Sequence, residues 1–294
     1  MKEKAIVYCA GNNFVQYYNR ITKIYDICAL TDSSSAKWGT EVMGHEVMPP
    51  DGVDAAGAGL VFIASDRIDI VDAITKRAKG LWPDLRIVSI LSECKSNMTA
   101  GPLYEAFSTK DKLGNSIECF GGNLINGIAA DFYGNDNRII IEENVLIKDR
   151  ICVMMYGDNN TLRIGKGTSL LNSVFNLGEG GNITIGSDCM ISSGIEFFQF
   201  EFHPIFDTSS GKRINMPEDI VIGDHVWIGR NAALMGGFSI GGDSVIGYGA
   251  VSSSKFGAGV CIGGSPARLI RKNVTWGREA LGLYDIGDIS DLRI

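Results

Sequence analysis

One stretch of this chain admits very few folds. In IVIGDHVWIGRNAALMGGFSIGGDSVIGYGAV, residues 220–251, the aliphatic residues Ile222, Ile228, Leu234, Ile240 and Ile246 fall six apart. Four of the five are followed directly by glycine: Gly223, Gly229, Gly241 and Gly247. A fixed internal period means stacked units that share one continuous core. Short strands and tight turns, three to a coil, make a triangular β-solenoid in which each sixth residue points inward. Glycine beside it suits a corner where a Cβ would clash. A β-sandwich is the alternative, but its strands would alternate with period two over longer runs, and such runs are absent here.

The same pattern extends upstream in looser form. NDNRIIIEENVLI (135–147), DNNTLRIGKGTSLL (158–171) and EGGNITIGSDCMI (179–191) are self-similar, with Ile141, Ile164 and Ile185 in register. Their spacings of 23 and 21 residues imply small insertions in these coils. Between Ile185 and Ile222 the spacing jumps to 37, and the extra chain contains EFFQFEFHPIFDTSSGKRINMPEDIVIG. After Ile222 the six-residue step becomes strict.

Residues 1–92 read differently. AIVYC (5–9), IYDICALTD (24–32), GLVFIAS (59–65) and LRIVSIL (85–91) are apolar, strand-like runs, and FVQYYNRI and residues 68–82 have helical spacing. A β-α-β series with continuous apolar strands implies a parallel sheet covered by helices. Residues 93–118 carry Ser, Asn, Gly, Pro and mixed charge, and read as a connector with one helical turn. The expected division is therefore an α/β domain at 1–92, a connector at 93–118, a solenoid at 119–272 and a tail at 273–294.

Composition excludes several functions. The net charge of −7 argues against a general nucleic-acid binder, which needs a basic face. The apolar run after MKEK is too brief for a signal sequence and reads as a first strand, and no stretch reaches membrane-spanning length. The seven cysteines are scattered without a CxxC pair, as expected of free thiols in a reducing cytoplasm. No His/Cys/Asp cluster has metal-ligand spacing, so no catalytic metal is expected. The turn CAGNN holds Gly11 but no G-x-G-x-x-G, and Asp32 reads as a strand-ending residue that starts the SSSAKWG turn rather than as a ribose ligand.

The run IGDHVWIGRNAALMGGFSIGGDSVIGYGAV, followed by IGGSPARLIRK (262–272), resembles the hexapeptide-repeat acyltransferases. The resemblance implies a left-handed parallel β-helix, a hand that general crossover statistics would not have favoured. The histidine in HPI, lying in an excursion just before the VWIG corner, is similar to the sugar and xenobiotic O-acetyltransferase branch. That branch implies acetyl-CoA as co-substrate, a homotrimer, and active sites in clefts between subunits. The segment CALTDSSSAKWGTEVMGHEVMPP looks like small Rossmann-like domains fused to surface-glycan acyltransferases, some of which bind nucleotide-linked sugars.

Only three histidines exist. Acetyl transfer to a hydroxyl needs a base of near-neutral pKa at the acceptor oxygen, and His203 is the candidate. Glu201 and Asp207 flank it, as orienting carboxylates or as solvated loop residues. His225 reads as a solvated corner residue, and His45 as a surface or turn residue. The resemblance assigns the oxyanion donor to the backbone N–H of Arg230. It places Trp227 at the acceptor groove, where the bland alternative is a corner aromatic. It also places Gly229, Tyr248 and Ser253 along the pantetheine arm. Arg268, Arg271 and Lys272 are candidate partners for the nucleotide phosphates, or simply a basic exit from the solenoid. The expected activity is acetyl-CoA-dependent O-acetylation of a sugar hydroxyl on a glycan or sugar nucleotide, in bacterial surface-polysaccharide synthesis. The alternatives are N-acetylation of a nucleotide-linked amino sugar and a non-catalytic glycan-binding solenoid.

Overall fold

The computed structural model describes residues 2–65, 67–90, 96–100 and 106–279. The chain divides into two compact units, Met1–Ser96 and Asn97–Ile294.

In the first unit, β1 (Glu3–Tyr8), α1 (Asn12–Ile24), β2 (Tyr25–Thr31), β3 (Glu41–Val42), β4 (His45–Met48), β5 (Leu60–Ile63), α2 (Ile68–Leu81) and β6 (Arg86–Ser89) follow in order. The sheet order is β3-β4-β2-β1-β5-β6, and all neighbours are parallel except the β3–β4 hairpin. Successive β1 side chains point to opposite sheet faces, and both sides are covered. Ala5 and Val7 join Phe14, Tyr17 and Ile21 of α1 in one cluster; Ile6 and Tyr8 join Ile74 and Ala78 of α2 in another. A strand buried on both faces must be apolar throughout, which is why AIVY and LVFI read as unbroken runs. Asp32, just after β2, accepts from the Ala10 amide at 2.9 Å, the Ser34 amide at 2.8 Å and Lys37 Nζ at 2.8 Å. Its carboxylate is spent on the turn. His45 lies in β4, where its Nε2 is 3.3 Å from Tyr18 Oη.

The second unit is a parallel β-helix with three faces. The first face stacks strands that include Arg138–Ile141, Thr161–Ile164, Asn182–Ile185 and Ile220–Ile222. The second stacks Ser169–Leu170, Met190–Ile191, Trp227–Ile228, Val245–Ile246 and Val260–Gly263. The third includes Ser173–Gly178, Ile195–Phe198, Ala233–Met235 and Val251–Ser252. The long strand Leu146–Tyr156 bends through the second and third faces, which joins them into one sheet.

The six-residue step is therefore one face per step. Ile222 pairs with Ile240, Ile228 with Ile246, and Leu234 with Ser252, so a coil closes every third step. All five registering aliphatic residues are at most 3% exposed. Each such burial contributes about 1.5–3 kcal/mol, and the column repeats it coil after coil. The adjoining glycines serve the close approach of neighbouring coils. A Cβ on Gly223 would lie 2.5 Å from the Gly242 amide nitrogen, and one on Gly229 would lie 2.8 Å from that of Tyr248.

The stretch read as a connector holds strands in its described part. Phe107–Lys110 pairs antiparallel with Ser116–Cys119, which in turn pairs with Arg138–Ile141 of the first face. Its alternation of apolar and polar residues is short and interrupted by the turn DKLG, so local pattern alone did not mark it. Asn115, Asn137 and Asn160 then form a buried ladder, the Asn137 and Asn160 amides each donating to the oxygen of the asparagine one coil earlier, at 3.0 and 2.7 Å.

Candidate active site

The excursion leaves the helix after the third-face strand Ile195–Phe198 and returns at Ile220. Its root is anchored in the core. Gln199, 1% exposed, accepts the Gly178 amide at 2.9 Å, and Phe200 packs over Gly178, where any Cβ would lie 2.7 Å from the ring. Phe200 and Phe202 sit 5.5 and 5.0 Å from Tyr156, which stacks on Tyr133 at 4.5 Å. Burial pushes the Tyr156 phenol up to about 12, so it stays protonated.

Beyond Phe202 the chain forms a small hairpin. Ile214 donates to the Ile205 carbonyl at 2.9 Å, and Gly211 to the Asp207 carbonyl at 2.8 Å. His203 stands exposed at its base, and its ring makes no hydrogen bond among the described residues. The two carboxylates expected beside it are engaged elsewhere. Asp207 Oδ1 accepts from the Ser209 and Ser210 amides at 2.8 and 2.7 Å and from both their hydroxyls. Those donors hold its carboxyl down to about 2. Glu201 Oε2 accepts from Asn215 Nδ2 at 2.5 Å. Neither carboxylate orients the His203 ring, because the loop's own donors claim both.

Asn215 is the residue sequence reasoning missed. Its Nδ2 also donates to the His203 carbonyl at 2.9 Å, while its Oδ1 accepts from the Ile205 amide at 2.7 Å and Arg213 Nε at 3.2 Å. Arg213 in turn reaches Glu179 at 2.9 and 3.0 Å and ties the hairpin to an earlier coil. An asparagine before Met-Pro in a loop carries no pattern that would single it out.

The other expected residues fall into groups. Trp227 opens a second-face strand and is 39% exposed. Gly229 and Arg230 form the next corner, and the Arg230 carbonyl accepts from the Gly249 amide at 2.9 Å, directly under Tyr248 of the following coil. The Arg230 N–H donates to no acceptor among the described residues. Tyr248 is 72% exposed, and Asn231 Nδ2 donates to its hydroxyl at 3.0 Å. Ser253 follows the third-face strand, so it occupies a different corner from Gly229 and Tyr248. Arg268, Arg271 and Lys272 lie on an exposed strand, Arg268–Lys272, that folds back antiparallel on Val260–Gly263. Among the described residues none of the three forms an ion pair.

His225 is not the solvated corner histidine that its position suggested. It takes the left-handed corner conformation, φ 54°, that Asp188 and Asp243 adopt in the coils on either side. Its Nδ1 lies 2.7 Å from Asp188 Oδ2 and its Nε2 lies 3.0 Å from the Trp276 carbonyl oxygen, so both ring nitrogens are engaged. Trp276 stacks on the ring at 4.3 Å. A partner 51 residues away covers it, which no local pattern could announce.

The comparisons decide what this assembly is. No family model matches the chain. Over 170 residues it is 32% identical to the polysialic acid O-acetyltransferase of Neisseria meningitidis, a match spanning 57% of this chain and 78% of that protein. The chain belongs to the hexapeptide-repeat sugar O-acetyltransferases. The solved structure of the polysialic acid O-acetyltransferase OatWY is 31% identical, covers 57% of this chain and 79% of that one, and superposes with a TM-score of 0.50. The galactoside O-acetyltransferase of Escherichia coli (strain K12) is 32% identical over 92 residues, covering 31% of this chain and 44% of that protein. As an O-acetyltransferase of this family, the chain is an acyltransferase, and the features just described are those of its β-helix unit.

Proposed function

We propose that this O-acetyltransferase esterifies a hydroxyl of a glycan, with His203 as general base. The observation that carries the reading is an exposed imidazole whose nitrogens are unengaged among the described residues, held by its backbone on the longest excursion from the repeat. His203 takes the proton of the acceptor hydroxyl as that oxygen attacks the thioester carbonyl. The Arg230 N–H donates to the carbonyl oxygen as it gains negative charge. The imidazolium then returns the proton to the departing thiolate, so charge and protons balance. Trp227 supplies an aromatic wall for the sugar. Gly229 and Tyr248 border the pantetheine arm, and the exposed cations Arg268, Arg271 and Lys272 suit its nucleotide phosphates. Ser253, at another corner, borders it only in an assembly. Glu201 and Asp207 act on the loop rather than on the ring.

Within one chain, His203 leaves from the corner after the third face, whereas Trp227 and Arg230 lie on and just after the second. A site using all three draws them from two copies. The outward side of the third face carries Cys152, Met154, Val174, Phe198 and Met235 around Glu196 and Asn176, a largely apolar surface suited to another copy. We therefore read the protein as a homotrimer with sites between subunits. The coils take the left-handed sense of the resembling family, and the first unit is Rossmann-like. No helix among the described residues is long and apolar enough to cross a membrane. The acidic chain with free thiols suits cytoplasmic work in surface-polysaccharide synthesis.

The test is CoA release over a panel of sugars that includes oligosialic acid, followed by alkaline treatment of the product. An O-acetyl ester is released by base, and a base-resistant product would mean an amide and overturn the hydroxyl acceptor. Full turnover by His203→Ala would overturn the base.

A further inference from the structure

The segment after Lys272 runs down one edge of the β-helix instead of leaving it. Val274 donates its amide to the Gly259 carbonyl at 3.0 Å, and Thr275 Oγ1 donates to Asp243 Oδ1 at 3.1 Å. Trp276 meets His225 twice, accepting from the ring and donating Nε1–H to the His225 carbonyl at 2.8 Å. Arg278 donates to Asp188 Oδ1 at 2.9 Å, the Cys189 carbonyl at 3.0 Å, Ser169 Oγ at 2.9 Å and the Gly167 carbonyl at 3.3 Å. The residues touched descend through five successive coils at the same corner: Gly259, Asp243, His225, Asp188 and Gly167. Each of the five has positive φ, so the same corner conformation recurs from coil to coil.

The strap is fixed by more than main-chain contacts. Trp276 is 7% exposed, stacked on the His225 ring with an interplanar angle of 10°, and the Arg278 guanidinium carbon lies 5.6 Å from its ring centroid. The Trp227 ring lies 6.3 Å from that of Trp276. Trp227 is thus flanked by the strap on its corner side while its remaining surface stays open.

We propose that residues 273–278 are a positioning element for the acceptor, with Trp276 as its key residue. By clamping the His225 corner and bordering the Trp227 ring, the strap sets the face against which the sugar packs. The inference rests on the reading that Trp227 borders the acceptor. Trp276 touches no reacting atom, so its removal changes acceptor binding and leaves the chemical step intact.

Two measurements on the full-length chain test this. Hydrogen–deuterium exchange needs no acceptor. Arg278→Ala removes all four Arg278 bonds and leaves every coil residue in place, and it is expected to speed exchange in the peptide covering His225–Gly229 but not in that covering Ile183–Ile185. Unchanged exchange at 225–229 would overturn the clamp. The second measurement is steady-state kinetics with oligosialic acid as probe acceptor. Trp276→Ala is expected to raise the acceptor KM roughly fivefold, the size of one aromatic contact. The acetyl-CoA KM and kcat should stay within about twofold, and Trp276→Phe should restore most of the loss. Equal losses in kcat and both KM values, or a native acceptor KM in Trp276→Ala, would reduce the strap to a structural brace and overturn the proposal. Trp227→Ala separates the two readings: if it raises the acceptor KM while Trp276→Ala does not, only the strap inference fails. If Trp227→Ala itself leaves that KM native, the acceptor reading fails and takes the positioning role with it.

Discussion

His203 and His225 lie 22 residues apart in sequence and have opposite surroundings. His225 occupies a corner of the regular helix, has both ring nitrogens engaged and is covered by Trp276. His203 stands on the excursion, where its backbone is fixed through Asn215 and its ring is left open. Regular stacking places a corner residue between the corners of the neighbouring coils, where a polar side chain can find a partner, as His225 finds Asp188. Breaking the repeat releases a side chain from that neighbourhood. The coils supply the rigid frame, and the irregular segment supplies the reactive group.

The contrast can be broken most sharply by mutating each histidine. His203→Ala is expected to lower turnover on the order of a hundredfold or more, with assembly and Tm retained. His225→Ala is expected to keep kcat within about threefold. Turnover measured side by side decides between them, and a reversal of the two would make the corner histidine the base. Asn215→Ala comes next. It removes the bonds that hold the His203 carbonyl and the Ile205 amide, and roughly a tenfold fall in kcat is expected, since misplacing a base costs rate without abolishing it. Native kcat would show that the hairpin holds itself.

A smaller effect concerns stability. His225→Ala strips the strap of its stacking partner and should lower Tm by roughly 2–4 °C, read by calorimetry. No shift would mean that the remaining strap bonds, from Val274, Thr275, Trp276 Nε1 and Arg278, hold it without the ring. The smallest effect belongs to Asp207. Its folded pKa lies below the ordinary carboxylate value, so its contribution to the hairpin is complete at neutral pH and fades as pH falls toward about 2. NMR titration should find its carboxyl still ionised at pH 3, and Asp207→Asn should loosen residues 207–211 at neutral pH without moving Ile220–Ile222. An ordinary titration would show that the serine donors contribute nothing there.

Much of this was legible in advance, and the particulars say why. Ile222, Ile228, Leu234, Ile240 and Ile246 announce the solenoid because a coil's burial depends on residues only six and eighteen apart. The jump from Ile185 to Ile222 announces the loop, and a histidine among so few is easy to notice. Asn215, Arg213 with Glu179, and Trp276 with His225 were not legible. Apart from the Arg213–Asn215 contact, their partners lie 10 to 14, 34 and 51 residues away, and an exposed polar residue in a loop is compatible with many partners or none.

By itself, then, the sequence determined that residues near 185–262 wind into stacked coils, that a loop interrupts them, and that one histidine rides on that loop. A buried aliphatic column leaves a periodic trace because each coil must present the same face to the next. Only the tertiary structure decided which polar groups are spent and which are free: Asp207 and Glu201 bound within the loop, His225 clamped by the strap, His203 open. Hydrogen bonds between distant residues follow from where the coils place them, and placement is a property of the whole stack that no short stretch encodes.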